Sequence, residues 1–118
     1  MITLNVTRRP GNSLVAQKVI SYRAVGSEGR GRVAVTVELR NTGTVAWTPT
    51  GAALVGVNQE ALTGLTVWPL EPIPPGKFQS ITVELDAAES EARGTYTLKL
   101  WGEQGGVASV TFDGVTFP

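Results

Sequence analysis

The chain contains no cysteine and no histidine in 118 residues. Without cysteine there can be no disulfide, no thiolate metal site and no thiol nucleophile. Without histidine the commonest general base and the commonest imidazole ligand are missing too. The two absences together argue against an enzyme, and no cofactor or bound metal is expected. Long apolar runs are also lacking, since a membrane-spanning helix needs about 18 such residues in succession. No membrane insertion is expected, and Met1 to Asn5 alternates like a strand rather than reading as a signal peptide. Ten basic residues balance ten acidic ones, so there is no bulk attraction to nucleic acid. The length suits one domain with one core. We expect a single domain over residues 1–118, cut from a longer protein whose upstream part lies before Met1.

The chain is organised around the stretch from Val33 to Trp47. Val33, Val35, Val37 and Leu39 alternate with Ala34, Thr36, Glu38 and Arg40, the period of a strand with one buried and one wet face. Asn41-Thr42-Gly43 follows, where tolerance of positive φ predicts a reversal, and Trp47 is placed to fold back over the strand's end. Upstream, Ile2, Leu4 and Val6 predict a short strand closed by a turn at Arg8 to Asn12, and Leu14 to Val25 a second strand pairing with it. Gly26 to Gly31 reads as a flexible connection.

Downstream, Thr48 to Gly51 reads as a loop because Pro49 cannot donate to a ladder. Strands are predicted at Ala53–Val57 and at Leu62–Leu70, the latter carrying Trp68. Pro72 to Lys77 is expected to be a stiff exposed crossing. Phe78 to Asp86 buries Ile81, Val83 and Leu85 and should pair with the central strand. Asp86 to Arg93 is the one helix-like piece. Gly94 to Gly102 points Tyr96, Leu98 and Leu100 inward and Thr97, Lys99 and Trp101 outward. Glu103 to Gly106 turns the chain into a last strand, Val107 to Phe117, with a bulge at Asp113-Gly114. Charge is uneven: residues 1–40 hold seven bases and two acids, residues 58–118 eight acids and three bases. In a sandwich these segments are neighbours, so cross-strand pairing is expected.

Seven to eight short strands punctuated by Gly and Pro describe an antiparallel β-sandwich. Tyr96, with the core residue Leu98 two positions on, suits the tyrosine corner of the immunoglobulin type, and its hydroxyl should bond backbone between Ala87 and Gly94. Val37 to Thr44 with Trp47, then Pro75-Gly76, then Gly94 to Thr97 and Trp101, resembles the four-tryptophan immunoglobulin-like domain of selective-autophagy receptors and bacterial adhesion-type modules. This chain has three tryptophans, and Trp101 falls one place beyond the late one of that domain. Trp47 to Gly56, Trp68 to Gly76 and Glu91 to Trp101 resemble more closely the carboxy-terminal half of a paralogous myxobacterial family of unknown function. Its full-length members look exported and longer than this chain. That resemblance implies no catalytic residues; it implies an exported parent protein, with a cytoplasmic one as the alternative.

Candidate chemistry is sparse. Asp86, Glu89 and Glu91 are not spaced like a calcium loop and read as a solvated corner. Gly26 to Gly31 lacks the following helix of a dinucleotide loop, and Gly76-Lys77 lacks the earlier glycine of a phosphate loop. Ser13 or Ser21 near Lys18 in a β segment is a weak signal for acyl transfer, and Lys18, Glu84 and Asp113, the nominees for an isopeptide bond, fall on outward or unassigned positions. Asn5-Val6-Thr7 is a glycosylation acceptor only in a eukaryotic secretory pathway. The remaining signal is aromatic. Trp101 beside Lys99 on a wet face has the character of an interface anchor, unless strand twist near Gly102 makes the indole a cap on the core. Trp68, next to Pro69, could face either way. The expectation is a non-enzymatic module binding a protein, alternatively a carbohydrate, through Trp101, Lys99 and Trp68, as a monomer or weak dimer.

Overall fold

Alternation of apolar residues decides most of the architecture. The structure is a computed structural model that describes residues 1–4, 14–103 and 107–118. Its strands are β1 (Ile2–Leu4), β2 (Leu14–Val25), β3 (Gly31–Asn41), β4 (Thr48–Gly56), β5 (Thr66–Trp68), β6 (Phe78–Asp86), β7 (Tyr96–Glu103) and β8 (Val107–Val115). They form two antiparallel sheets, ordered β1-β2-β3-β6-β5 and β4-β7-β8, which face each other as a β-sandwich. Strand β3 is central, with Val33, Val35 and Val37 opposite Leu85, Val83 and Ile81 of β6. All of the residues assigned to the core by alternation, from Val33 through Trp47 to Leu100, are buried. The pairing expected between early bases and late acids is present at one end of this sheet. Arg32 bonds Glu84 at 2.9 Å and Asp86 at 3.0 Å; the bond to Asp86, then the charge of Glu84, raises its pKa.

Several boundaries differ from the sequence reading, each for a local reason. Residues Thr48 to Gly51 are strand, not loop, because the ladder to β7 shifts register between Pro49 and Gly51, a bulge that accommodates the missing N–H. The strand expected over Leu62 to Leu70 shrinks to β5, where only three residues pair with β6. Asp86 ends β6 and Ala87 to Arg93 form turns, not a helix, since two isolated turns are too short to hold themselves while Ala87 and Ala92 are drawn into the core. Gly26 to Gly31 is a tight 3-10 turn over Ser27–Gly29, closed by Gly26 N–H donating to the Arg30 carbonyl at 2.6 Å. The bulge expected in β8 is present: its register against β7 slips one residue between Phe112 and Val115, and Gly114 has φ +73°. The turn at Arg8 to Asn12, Ser13, the Asn5 acceptor and the 104–106 turn lie outside the described residues.

The reversal after β3 rests on a side chain. Asn41 is fully buried; its Nδ2 donates to the carbonyls of Val45 and Ile73, both at 2.8 Å, and its Oδ1 accepts from Gly43 N–H at 2.9 Å. Neither Asn41 nor Gly43 has positive φ, so the expected left-handed turn is replaced by an Asx-type bond. The same amide holds the Pro72 to Lys77 crossing, which is not wholly exposed: Ile73 is buried and exchanges backbone bonds with Trp47. A buried side-chain amide satisfied on both ends thus seats Trp47 over the end of β3.

At the opposite end, the expected tyrosine corner is not formed. Among the described residues the Tyr96 hydroxyl makes no hydrogen bond to the Ala87 to Gly94 backbone; its ring packs against Phe117 at 6.1 Å between centroids. Arg23 of β2 satisfies that corner instead, donating to the carbonyls of Ala92 at 2.7 Å and Ala88 at 3.4 Å and to the Pro118 oxygen at 2.5 Å. A guanidinium reaches several carbonyls at once where a phenol reaches one. Ser21 Oγ donates to the Thr116 carbonyl at 2.6 Å, so the chain after β8 is tied to β2 and closes the gap between the sheets. Tyr96→Phe is therefore expected to change stability by less than about 0.5 kcal/mol, as read from urea unfolding midpoints; a loss of 1 kcal/mol or more would reinstate the hydroxyl bond.

Candidate functional site

Strands β4 and β7 each carry one tryptophan socket of the three-stranded sheet. Trp101 points outward and its indole lies over Gly51 of β4, where a methyl group would sit 2.7 Å from Nε1. The next residue, Gly102, faces inward and its bare Cα receives the buried Trp47, with a methyl position only 2.6 Å from Cε2. Glycine at these two points lets one indole approach the outer surface of the sheet closely and the other fill the core. Trp101 remains 38 % exposed, so it is not a cap on the core. Lys99 is exposed on the same face, paired across the ladders with Ala53 of β4 and Thr111 of β8. Trp101 and Lys99 are thus brought together, with the last strand beside them.

Trp68 belongs elsewhere. It lies on β5 opposite Thr82, is 50 % exposed, and faces out from the five-stranded sheet because its neighbour Val67 packs inward. The two exposed tryptophans therefore look away from opposite sides of the sandwich and cannot share one ligand platform. The sequence reading also missed two aromatics on the Trp68 side. Tyr22 is 38 % and Phe78 62 % exposed, each out of step with the buried residues of its own strand, Val19 in β2 and Ile81 in β6. That same alternation was the signal that could have placed them.

The other candidates are not assembled. Ser21 is buried against the core side of β2 while Lys18 is exposed on its other face, which separates the acyl-transfer pair. Asp113 lies in the other sheet, 3.1 Å from Thr97 Oγ1, far in topology from Lys18 and Glu84. Asp86 is engaged by Arg32 and Glu91 accepts from Ala88 N–H at 2.8 Å, and no group of three acidic side chains able to hold a metal occurs among the described residues. No helix among them is long and apolar enough to cross a membrane.

Sheet edges are guarded. Strands β1 and β5 have three residues each, β4 carries Pro49 and a bulge, and β8 the bulge at Gly114; each device discourages strand addition. What the molecule offers is faces. Residues 3–115 match the model of a family described as a protein of unknown function (DUF2381), and no curated protein matches the chain.

Proposed function

The chain belongs to the DUF2381 family, and on that premise we propose that it is a non-enzymatic, immunoglobulin-like module that binds another protein through the outer face of its three-stranded sheet. The family brings no activity with it, so the reading rests on geometry. Its main support is Trp101 seated against Gly51, partly exposed, beside the exposed Lys99. A rigid indole supplies contact area at low entropic cost, and an ammonium next to it orients an acidic or carbonyl-rich partner. The immunoglobulin assignment is supported by strand order: β2-β3-β6-β5 against β4-β7-β8 corresponds to the ABED and CFG sheets of constant-type domains, with β1 as an added edge. An exported or envelope-associated bacterial parent is part of the same proposal and rests on the myxobacterial resemblance. Protein is favoured over carbohydrate because Trp101 and Trp68 do not share a face.

The test is Trp101→Ala in the intact protein. Binding to the partner should fall at least about tenfold, corresponding to 1.4 kcal/mol or more, while the melting temperature moves by no more than a few degrees. A fall in melting temperature above about 10 °C would make the indole a structural part of the sheet and withdraw the site.

A further inference from the structure

The outer face of the five-stranded sheet has a charge pattern that the Trp101 face does not share. Registers place Ile20, Thr36, Thr82 and Trp68 in one row across β2, β3, β6 and β5, and no member of that row carries a charge. Thr36 Oγ1 and Thr82 Oγ1 are 3.0 Å apart, so the middle of the row satisfies part of its own polarity without water. Ile20 is buried outside the main core cluster, adding apolar floor. On one side of the row lie Arg32, Glu84 and Asp86, a net charge of −1. On the other lie Lys18, Glu38 and Arg40, a net charge of +1.

We infer that this face packs against the same face of a second copy of the chain, about a two-fold axis running along the uncharged row. That axis reverses the strands, so the negative end of each copy meets the positive end of the other, twice over. The alternative axis, parallel to the strands, would set like against like and is disfavoured. A closed two-fold contact is self-complementary by construction, and two twisted sheets stack face to face at a small angle without further adjustment. Trp68 meets its own counterpart near the axis, while Tyr22 stands about 14 Å across the sheet from it, three strand spacings away. The three long strands over about nine residues each, with the three-residue edge strands, give a face of about 500 Å² per copy. The total of roughly 1,000 Å² is at the low end for specific interfaces, so the dimer is weak and dissociates on dilution. It also turns both Trp101 faces outward, giving two binding faces per assembly and a gain in avidity toward a clustered partner.

The experiment is sedimentation of the 118-residue chain over a concentration series, for wild type, Arg40→Glu, Asp86→Lys and Thr36→Arg, with circular dichroism confirming that each is folded. The wild type should dimerise with a dissociation constant on the order of 0.1 mM. Each variant should weaken association at least about tenfold, and an equimolar mixture of Arg40→Glu and Asp86→Lys should restore it, because that pairing brings opposite charges together at both ends. Trp68 emission should shift to the blue on association. A wild type that stays monomeric to about 1 mM, folded variants that associate as the wild type does, or a mixture that remains monomeric would each overturn the dimer. So would a monomeric wild type whose Trp68 fluorescence is quenched by a soluble polysaccharide, which would assign the face to glycan.

Discussion

Trp47→Ala is expected to lower the unfolding free energy by about 3 to 5 kcal/mol. Domains of this size hold about 5 to 15 kcal/mol in all, so the variant should unfold near or below the growth temperature of a mesophile. Trp47 is among the largest fully buried side chains, it covers the end of β3, and Asn41 and Ile73 fix its surroundings on both sides. A ring removed from so constrained a site leaves a cavity that neighbours cannot fill. The indole N–H is buried with no hydrogen-bond partner among the described residues, so Trp47→Phe loses volume but no bond and should cost only about 1 to 2 kcal/mol. Urea melts of the two variants check this; a loss of about 3 kcal/mol or more for Trp47→Phe would mean that the N–H does have a partner.

Gly102→Ala should be nearly as damaging, at about 3 kcal/mol. The new methyl would collide with the Thr48 carbonyl oxygen and lie 2.6 Å from the Trp47 ring. Neither can retreat, since one is ladder backbone and the other is locked in the core. Gly64→Ala is the control: its φ is +76° but nothing lies within 4 Å, so only backbone strain of about 1 kcal/mol is expected. Similar melting temperatures for the two variants would show that Trp47 does not rest on Gly102.

The core was legible in the sequence because burial in a sandwich writes itself as period two. Val33 to Leu39, Phe78 to Asp86 and Tyr96 to Leu100 needed only that rule, and the bulge at Gly114 needed only Asp-Gly placed between two Val-Thr-Phe repeats. Two of the misses were places where a side chain replaced a backbone device. Asn41 signalled a turn, but through its amide and not its φ. Tyr96 suggested a corner bond that Arg23 makes, and nothing local to Arg23 in the sequence reveals that it reaches Ala92 and Pro118, 69 and 95 residues away. Trp101 and Lys99 were correctly placed on one face. Trp68 was grouped with them because a residue's sheet depends on strand order, which alternation along one strand does not contain.

The measurement that bears most directly on the central claim is site-specific photo-crosslinking in the intact protein, with a benzophenone residue introduced at Lys99 and, as control, at Val57 on the exposed turn after β4. The account predicts a discrete protein adduct from position 99 that disappears when Trp101→Ala is added, and none from position 57. Equal adducts from both positions, or an adduct at 99 that survives loss of the indole, would contradict it.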